Sequence, residues 1–307
     1  MTRRMRLVVL GADGLFGTTL VRVADGDPRV SAVVAAGRAD ADVTRPGGVE
    51  RLLRQEHPDV VVNAASITSA DRCEAEPELA YQVNAVGAGR VARACTDVGA
   101  RCVVLSTDIV FDGTKGESYD ETDTPHPVLT CGVSKVAGEF ETLRAGPRHL
   151  VVRTSALFGP APRSPRARHG FVDRILRRAA VGERPRVVDN VVISPTYAVD
   201  LSLMLLELLR ATPHGGIFHL VNIGAANWYE LACAAVSAAG LAATPYRSPD
   251  PDGYAVAPRP PSTPLRSVRV PPSVRRLNRP WADALRCYVQ EYARPAPSDL
   301  SLPLVKE

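Results

Sequence analysis

The sequence predicts an α/β fold with a doubly wound parallel sheet and a smaller C-terminal cap that binds the substrate. Short apolar runs alternate with helical patterns through the first half of the chain. A glycine-rich turn follows the first of these runs, and the pattern changes after Thr154. Short apolar strands that alternate with helices are typical of βαβ units, whose parallel strands are buried on both faces. Together these observations predict a Rossmann-like arrangement.

The first half contains five apolar runs of strand length, each followed by a turn signal and a helical pattern. The predicted strands are Arg6–Leu10, Val30–Ala36, Asp59–Ala65, Arg101–Ser106 and His149–Thr154. The helices predicted between them are Leu15–Val23, Gly48–Glu56, Glu76–Val98 and Val133–Leu143. This alternation predicts a dinucleotide-binding domain over residues 1–155.

The second half, residues 156–307, is predicted to be mainly a substrate-binding region. Its predicted elements are a Pro- and Arg-rich loop at Gly159–Gly170, helices at Phe171–Ala180 and Ala198–Leu209, strands at Arg186–Val191 and Gly215–Val221, a Pro-dense stretch at Pro245–Pro272 and a tail at Pro295–Glu307. We expect the two strands to extend the sheet of the first domain. We expect the remainder to cover the carboxyl ends of the strands, where such sheets bind ligands.

Composition excludes several classes of protein. With 45% hydrophobic and 23% charged residues, the chain has the composition of an ordinary globular protein. No run approaches the roughly 18 apolar residues of a membrane span, and the N-terminal sequence is not a signal peptide. A net charge of +4 without a basic stripe argues against nucleic-acid partners. The six cysteines form no C-x-x-C pair and no zinc spacing, so no metal is expected. A cytoplasmic location is predicted, because the apolar stretch Leu7–Leu10 ends at a glycine turn without a cleavage-site pattern and is interpreted as a first buried strand.

The turn after the first strand reads Gly11-Ala12-Asp13-Gly14-Leu15-Phe16-Gly17, which is G-x-x-G-x-x-G between a strand and a helix. Small residues there let the backbone approach a pyrophosphate, and the helix N-terminus supplies amide donors. The loop therefore predicts dinucleotide binding. The residues assigned to this contact are Gly11, Asp13, Gly14, Leu15, Phe16 and Gly17.

The end of the second strand bears on which dinucleotide binds. The sequence there is Ala36-Gly37-Arg38, with Asp42-Val43 following where the adenine edge is expected. An acidic residue at this point would bind the adenosine ribose, whereas an arginine suits a 2′-phosphate. Arg38 therefore favours NADP over NAD, with NAD still allowed. The alternative is that Arg38 is a solvent-facing loop residue.

Motifs along the chain resemble those of one enzyme family. They are Val62-Asn63-Ala64-Ala65-Ser66, Val83-Asn84-Ala85-Val86-Gly87, Ser106-Thr107-Asp108-Ile109, Glu121-Thr122-Asp123 and Gly132-Val133-Ser134-Lys135 through Glu139. In this order and spacing they resemble extended short-chain dehydrogenases/reductases of the dTDP-4-dehydrorhamnose reductase type, from about Met5 to about Tyr292. The resemblance implies cofactor contacts at Asn63, Ala64, Ala65, Ser66 and Lys135. It implies substrate contacts at Asp108, Ile109, Arg163 and Arg259.

The resemblance also implies a catalytic hydroxyl residue, tyrosine and lysine, the last two in a Y-x-x-x-K pattern. Thr107 and Lys135 match the hydroxyl residue and the lysine, but the tyrosine position holds Cys131. The aromatic positions of the family's pocket are likewise aliphatic, at Ile67, Ile109 and Ala156. These departures argue against the usual reduction of a 4-keto sugar.

Three interpretations of Cys131 remain open. The thiol fills the space of a lost tyrosine without a chemical role, or it is an active thiolate that favours alcohol oxidation or a covalent step. Alternatively, residual chemistry proceeds through Thr107 or a bound water.

The resulting functional prediction is an NADP-dependent oxidoreductase that acts on a nucleotide sugar or a related polar small molecule, with atypical acid–base groups. The first alternative is a non-catalytic NADP-binding protein that resembles regulatory subunits of methionine adenosyltransferase. The second is a lyase, dehydratase or epimerase with resident NADP. The resemblance suggests a homodimer.

Overall fold

Six parallel strands form the central sheet, in a computed structural model that describes residues 4–160, 170–248 and 257–292. The described strands, in chain order, are β1 (Met5–Leu10), β2 (Val30–Ala36), β3 (Val60–Asn63), β4 (Arg101–Thr107), β5 (Leu150–Thr154), β6 (Leu157–Phe158), β7 (Arg186–Val187), β8 (Val192–Ile193), β9 (Thr196–Tyr197), β10 (Gly216–His219), β11 (Ala226–Asn227) and β12 (Tyr246–Arg247). The order across the sheet is β10-β5-β4-β3-β1-β2. The predicted Rossmann-like fold is confirmed.

Helices cover both faces of this sheet and form the cap. They are α1 (Leu15–Asp25), α2 (Gly48–Glu56), α3 (Ala70–Ala75), α4 (Pro77–Tyr81), α5 (Ala88–Asp97), α6 (Thr130–Ala145), α7 (Phe171–Ala180), α8 (Ala198–Ala211), α9 (Trp228–Ala238), α10 (Pro272–Arg275) and α11 (Trp281–Tyr292). A π-helical turn, Gln82–Gly87, joins α4 to α5, and a 3₁₀ turn, Asp108–Val110, follows β4. The helix predicted at Glu76–Val98 is thus α4, the π turn and α5.

Successive side chains of β1 point to opposite faces of the sheet and belong to two separate layers of the core. Leu7 and Val9 pack on one face against α1 and α8, and Val8 and Leu10 pack on the other against α2 and α5. All four side chains are fully buried. Successive side chains of a strand point to opposite faces, so a run with no polar residue requires cover on both sides.

The strand order places a ligand crevice between β1 and β3. After β1 the chain crosses to β2 on one side, and β3, β4, β5 and β10 extend the sheet on the other. Leu10 and Asn63 are register partners, so the loops that follow β1 and β3 start side by side. Open α/β sheets bind ligands at such a reversal, outside the carboxyl ends of the strands.

One predicted strand does not join the sheet. Gly216–His219 pairs with β5 as predicted, because α8 crosses over the sheet and returns the chain to its edge. In the predicted run Arg186–Val191, only Arg186–Val187 is a strand, and it pairs with Tyr246–Arg247. The prediction that it extends the main sheet is therefore wrong. The preceding helix, α7, packs against α9 in the cap and directs the chain away from the sheet.

The cap has its own apolar core. Phe158, Tyr197 and Tyr288 form a cluster of rings within it, with centroids 5.5 to 5.8 Å apart. Helices α7, α9 and α11 enclose these rings. The division of the chain into domains at residue 155, and the substrate-binding role of the cap, stay predictions.

Candidate active site

The glycine loop is held by close backbone contacts at two of its three glycines. Gly11 has a φ of +72°, and a Cβ there would lie 2.5 Å from the amide nitrogen of Ala65. A Cβ on Gly17 would lie 2.3 Å from the carbonyl oxygen of Gly11. A Cβ on Gly14, by contrast, would meet only that same oxygen, at 3.4 Å. Gly11 and Gly17 therefore shape the loop, and Gly14 leaves its outer side open.

The residues that follow Gly14 begin α1. Leu15 is half-buried between the loop and the cap, where it lies near Gly159 and Gly170. Phe16 is buried in the core beneath the loop. The first amides of α1 point out of the loop beside Gly14, as an N-terminus that binds a pyrophosphate requires.

The end of β2 combines an acidic and a basic side chain. The Asp13 carboxylate lies against Gly37, with an oxygen 2.1 Å from the position a Cβ would take there. The Arg38 side chain is 77% exposed, and its Nε lies 3.2 Å from Asp42 Oδ2. Hydrogen bonds from Thr44, and then the Arg38 guanidinium, lower the pKa of Asp42. A surface pair of this kind is weak, so Arg38 is free to turn toward a ligand phosphate.

Val43, unlike the adjacent Asp42, has a side chain in the apolar core. Its side chain is buried in the core and packs against Gly87 of the π turn. Its carbonyl oxygen accepts a hydrogen bond from Arg90. The predicted contact with the adenine edge stays a prediction at Asp42 and Val43.

Polar atoms without partners lie at the carboxyl ends of β3 and β5. Asn63 Oδ1 accepts a hydrogen bond from the Ala65 amide at 3.2 Å. Its Nδ2 is buried and has no partner within the described part of the chain, and the same holds for Thr154 Oγ1. A buried donor without a partner is unfavourable, so it indicates a ligand contact. With the open side of Gly14, these atoms fit a dinucleotide.

A π-helical turn carries one site residue that the sequence-based list omitted, Asn84. Its Oδ1 accepts from the Ser66 hydroxyl at 3.1 Å and the Ile67 amide at 2.9 Å. Its Nδ2 donates to the Ile67 carbonyl and to Ser134 Oγ, both at 3.0 Å. Asn84 therefore ties the loop after β3 to α6. The available sequence signal was the motif Val83-Asn84-Ala85-Val86-Gly87, from which no site role was assigned to Asn84.

Lys135 and Thr107 both lie near the carboxyl end of β4. Lys135 is buried, and its Nζ donates to the Leu105 carbonyl of β4 at 2.9 Å. Burial lowers the pKa of this ammonium. The Thr107 hydroxyl donates to Asp108 Oδ1 at 3.0 Å, and Thr107 is the register partner of Thr154. The predicted lysine and hydroxyl residue thus both lie near the carboxyl end of β4.

Cys131 occupies the second position of α6, one turn before Lys135. Its side chain is 2% exposed, and its Sγ lies 3.8 Å from the Ile67 carbonyl oxygen. A second thiol, Cys73 on α3, lies 3.7 Å from that same oxygen. The interaction with the Cys73 thiol lowers the pKa of Cys131, burial raises it, and the Lys135 charge lowers it further. Sequence reasoning did not find Cys73, because it lies outside every recognised motif.

Asp108, one of the predicted substrate residues, is buried and accepts hydrogen bonds from three side chains. Its Oδ2 accepts hydrogen bonds from Ser155 and Thr263, both at 2.7 Å, in addition to the bond from Thr107 to Oδ1. Burial raises the pKa of this carboxyl. In this structure Asp108 positions Thr107, and a direct contact with substrate stays a prediction.

The other predicted substrate residues differ in position. Ile109 packs in the apolar cluster that contains Cys131. Arg259 lies 3.2 Å from Asp71, and its charge reaches Cys131 closely enough to lower the pKa of that thiol. Arg163 lies outside the described residues.

Within residues 4–160, 170–248 and 257–292, no group of three or more His, Cys, Asp or Glu could hold a metal ion. In the same ranges, no helix is long and apolar enough to span a membrane.

Comparison with known proteins gives concordant matches over nearly the whole chain. The family described as RmlD substrate binding domain matches residues 5–294. The dTDP-4-dehydrorhamnose reductase of Mycobacterium tuberculosis is 39% identical over 227 residues, which cover 72% of this chain and 71% of that protein. The spore coat polysaccharide biosynthesis protein SpsK of Bacillus subtilis is 33% identical over 290 residues, 93% of this chain and 97% of that protein.

A solved structure agrees with these matches. The dTDP-4-dehydrorhamnose reductase of Bacillus anthracis, in complex with NADP, superimposes with a TM-score of 0.84 at 30% identity. The match covers 94% of this chain and 100% of that one.

Proposed function

Because the chain belongs to the RmlD substrate binding domain family of reductases, we propose that it is an NADP-dependent oxidoreductase that acts on a nucleotide-linked sugar or a related polar small molecule. The finer part of the proposal is that Cys131 handles the proton that a tyrosine handles in the family's usual pattern. The six free thiols support a cytoplasmic location, where thiols stay reduced. A homodimer stays a prediction.

One observation carries the proposal: Lys135 is buried near the carboxyl end of β4 with a single described acceptor. Lys135 Nζ has three donor hydrogens, and the Leu105 carbonyl accounts for one of them. A buried charged ammonium is unfavourable unless it is paired and hydrogen-bonded, and a ligand can supply the missing partners. Its place near the carboxyl end of β4, the strand that ends at Thr107, supports a role in holding the nicotinamide ribose.

The remaining groups suit proton handling at a carbonyl or hydroxyl. The dinucleotide, when bound, supplies the hydride chemistry of the reaction. Thr107, held by Asp108, orients the substrate oxygen through its hydroxyl. The lowered pKa of Cys131 increases the share of this side chain that is thiolate, and a thiolate can accept a proton from a substrate hydroxyl. This favours alcohol oxidation over carbonyl reduction in the wild-type chain.

The test combines cofactor binding with restoration of the tyrosine. We would titrate the wild type, Cys131→Tyr and Cys131→Ser with NADPH and NADH. We would then assay each for reduction of a dTDP-4-keto-6-deoxy sugar. All three are expected to bind NADPH, with reduction fastest in Cys131→Tyr. Lys135→Met in the Cys131→Tyr background is the matched control and is expected to abolish that gain. Binding of neither cofactor by the wild type would refute the proposal.

A non-catalytic NADP-binding role is the second candidate, and the packing of Cys131 favours it. The thiol is almost fully buried among apolar neighbours, among them Leu129 and Ile109, as an inert residue that fills a lost ring would be. This candidate predicts tight NADPH binding with no oxidation or reduction of sugar by any variant, together with a stable complex with a partner protein. Turnover by the wild type with any alcohol or keto sugar would exclude it.

A further inference from the structure

Two thiols from separate helices converge on one carbonyl oxygen inside the candidate active site. Cys73 on α3 and Cys131 on α6 lie 3.7 and 3.8 Å from the oxygen of Ile67. Both side chains are buried, at 0% and 2% exposure, in one apolar cluster with Leu129. The two thiols also interact with each other. Helices far apart in sequence therefore place two sulfurs around one carbonyl oxygen at the position of the missing tyrosine.

The two sulfurs differ in how readily they ionise. Cys131 is in the first turn of α6, where the helix dipole favours a thiolate, and Lys135 is one turn away. Cys73 has no such support: the interaction with Cys131 and its own burial raise the pKa of this thiol. One readily ionised thiol beside a protonated one is the arrangement of an attacking and a resolving cysteine.

We propose that Cys73 and Cys131 form a redox-active dithiol, in which oxidation by a peroxide joins them in a disulfide across the site. The Cys131 thiolate attacks one oxygen of hydrogen peroxide, the O–O bond breaks, and a sulfenic acid and hydroxide form. The Cys73 sulfur then attacks the Cys131 sulfur, and the S–O bond breaks with release of a second hydroxide. The two hydroxides take up the two thiol protons and become two waters. The thiols lose two electrons and the peroxide gains them.

The disulfide has a direct consequence for the site. It removes the Cys131 thiol from proton handling and fixes α3 to α6 beside Lys135. Loss of turnover on oxidation rests on the proposed function, whereas formation of the disulfide does not. The two are therefore measured separately.

The chain offers a matched control pair. Cys95 and Cys102 are also buried together and also interact, but they lie in the core between the sheet and its helices. Burial is the largest cause of the raised pKa of Cys95, with Cys102 second. In the described part of the chain, no lysine or helix N-terminus supports a thiolate there, so this pair should not respond to peroxide.

The test is peptide mapping of the purified full-length chain after exposure to hydrogen peroxide and alkylation of the remaining thiols. Trypsin releases Cys73 in peptide 73–90 and Cys131 in peptide 116–135. We expect these two peptides to be linked, two hydrogens lighter than their sum and separated by dithiothreitol. Cys73→Ser and Cys73→Ala should abolish the link and leave Cys131 oxidised singly. Cys95→Ser/Cys102→Ser should retain it.

The controls separate this proposal from the proposed function. NADPH binding of the reduced variants verifies folding, and turnover before and after dithiothreitol tests the effect on catalysis. A link between peptides 73–90 and 116–135 supports the dithiol even in a protein without turnover. Absence of the link at peroxide concentrations that oxidise the partly exposed Cys233 and Cys287 overturns it, as does equal linking of Cys95 to Cys102.

Discussion

Arg153 and Glu139 form a buried ion pair directly behind the candidate active site. Arg153 Nε lies 2.9 Å from Glu139 Oε1, and its terminal nitrogen lies 2.6 Å from Oε2. The two side chains are 1% and 5% exposed. Arg153 belongs to β5 and Glu139 follows Lys135 by one turn of α6, so the pair fixes the catalytic helix to the sheet. The Ser106 hydroxyl donates to the same carboxylate.

Removal of one partner of this pair should strongly destabilise the protein. Glu139→Gln leaves the Arg153 guanidinium buried without a counter-charge, and we expect the free energy of unfolding to fall by about 3–5 kcal/mol. Urea denaturation followed by circular dichroism measures it. The double variant Glu139→Leu/Arg153→Met removes both charges, so its free energy of unfolding should fall clearly less than that of Glu139→Gln. A single variant as stable as wild type would contradict the assignment of a buried, fully paired carboxylate.

The glycine loop predicts opposite outcomes for two similar substitutions. A Cβ at position 17 collides with backbone at 2.3 Å, so Gly17→Ala should lower the free energy of unfolding by about 1–3 kcal/mol. A Cβ at position 14 meets only one atom at 3.4 Å, so Gly14→Ala should fold normally. It should nevertheless weaken NADPH binding about tenfold, because the methyl group occupies the approach of the pyrophosphate. Unfolding curves and NADPH titrations distinguish the two, and full NADPH affinity in Gly14→Ala would argue against this binding mode.

The preference between NADPH and NADH should depend on opposing charges at the end of β2. The Asp13 carboxylate lies where a 2′-hydroxyl is bound by acidic residues in related sheets, and it repels a 2′-phosphate. Asp13→Asn should therefore raise the NADPH-to-NADH affinity ratio by about tenfold, which is about 1.4 kcal/mol. Arg38→Ala should lower the ratio by a similar factor. Titrations of both variants measure the ratio, and Arg45→Ala is the matched control for a nearby exposed arginine. Unchanged ratios in both test variants would place the adenosine elsewhere.

Local patterns predicted the sheet and the cofactor loop because both depend on short segments. The apolar runs of β1 to β5 require burial on both faces, and the G-x-x-G-x-x-G spacing fixes a turn whose two outer glycines cannot carry a Cβ. Lys135 was also found, since the motif around it is local. The prediction that Arg186–Val191 extends the main sheet was wrong. The packing of α7 in the cap directs this segment to Tyr246–Arg247 instead.

Contacts between distant segments account for what the sequence did not reveal. Cys73 lies on a six-residue helix with no motif, and only the fold brings it to Cys131. Asp13 was predicted from its loop position, but its contact with Gly37 depends on how β1 and β2 pair. Periodicity predicts a helix around Asn84 but does not predict the π turn that aims this side chain at Ile67.

Buried Lys135 should make stability depend on pH in a defined direction. Burial lowers its pKa in the folded state, so over the interval from the folded pKa up to about 10.4 the unfolded chain binds more protons at this residue. The free energy of unfolding therefore rises with pH through that interval as far as Lys135 determines it. Below the folded pKa, the destabilisation caused by burying the charged ammonium is present in full. Lys135→Met should be more stable than wild type at pH 7, by on the order of 1 kcal/mol after loss of the bond to Leu105. The difference should shrink toward pH 10.

Paired urea denaturations of wild type and Lys135→Met at several pH values measure this difference directly, since titrations common to both proteins cancel. Lys115→Met is the matched control, because Lys115 lies near the surface, where Asp123 holds its ammonium and raises its pKa. That variant should show no gain in stability at pH 7. The same experiment bears on function, because a lysine that destabilises the fold and is needed for NADPH binding has a role in the site. A Lys135→Met variant that is less stable than wild type at pH 7 and binds NADPH normally would assign Lys135 to the fold instead of the cofactor.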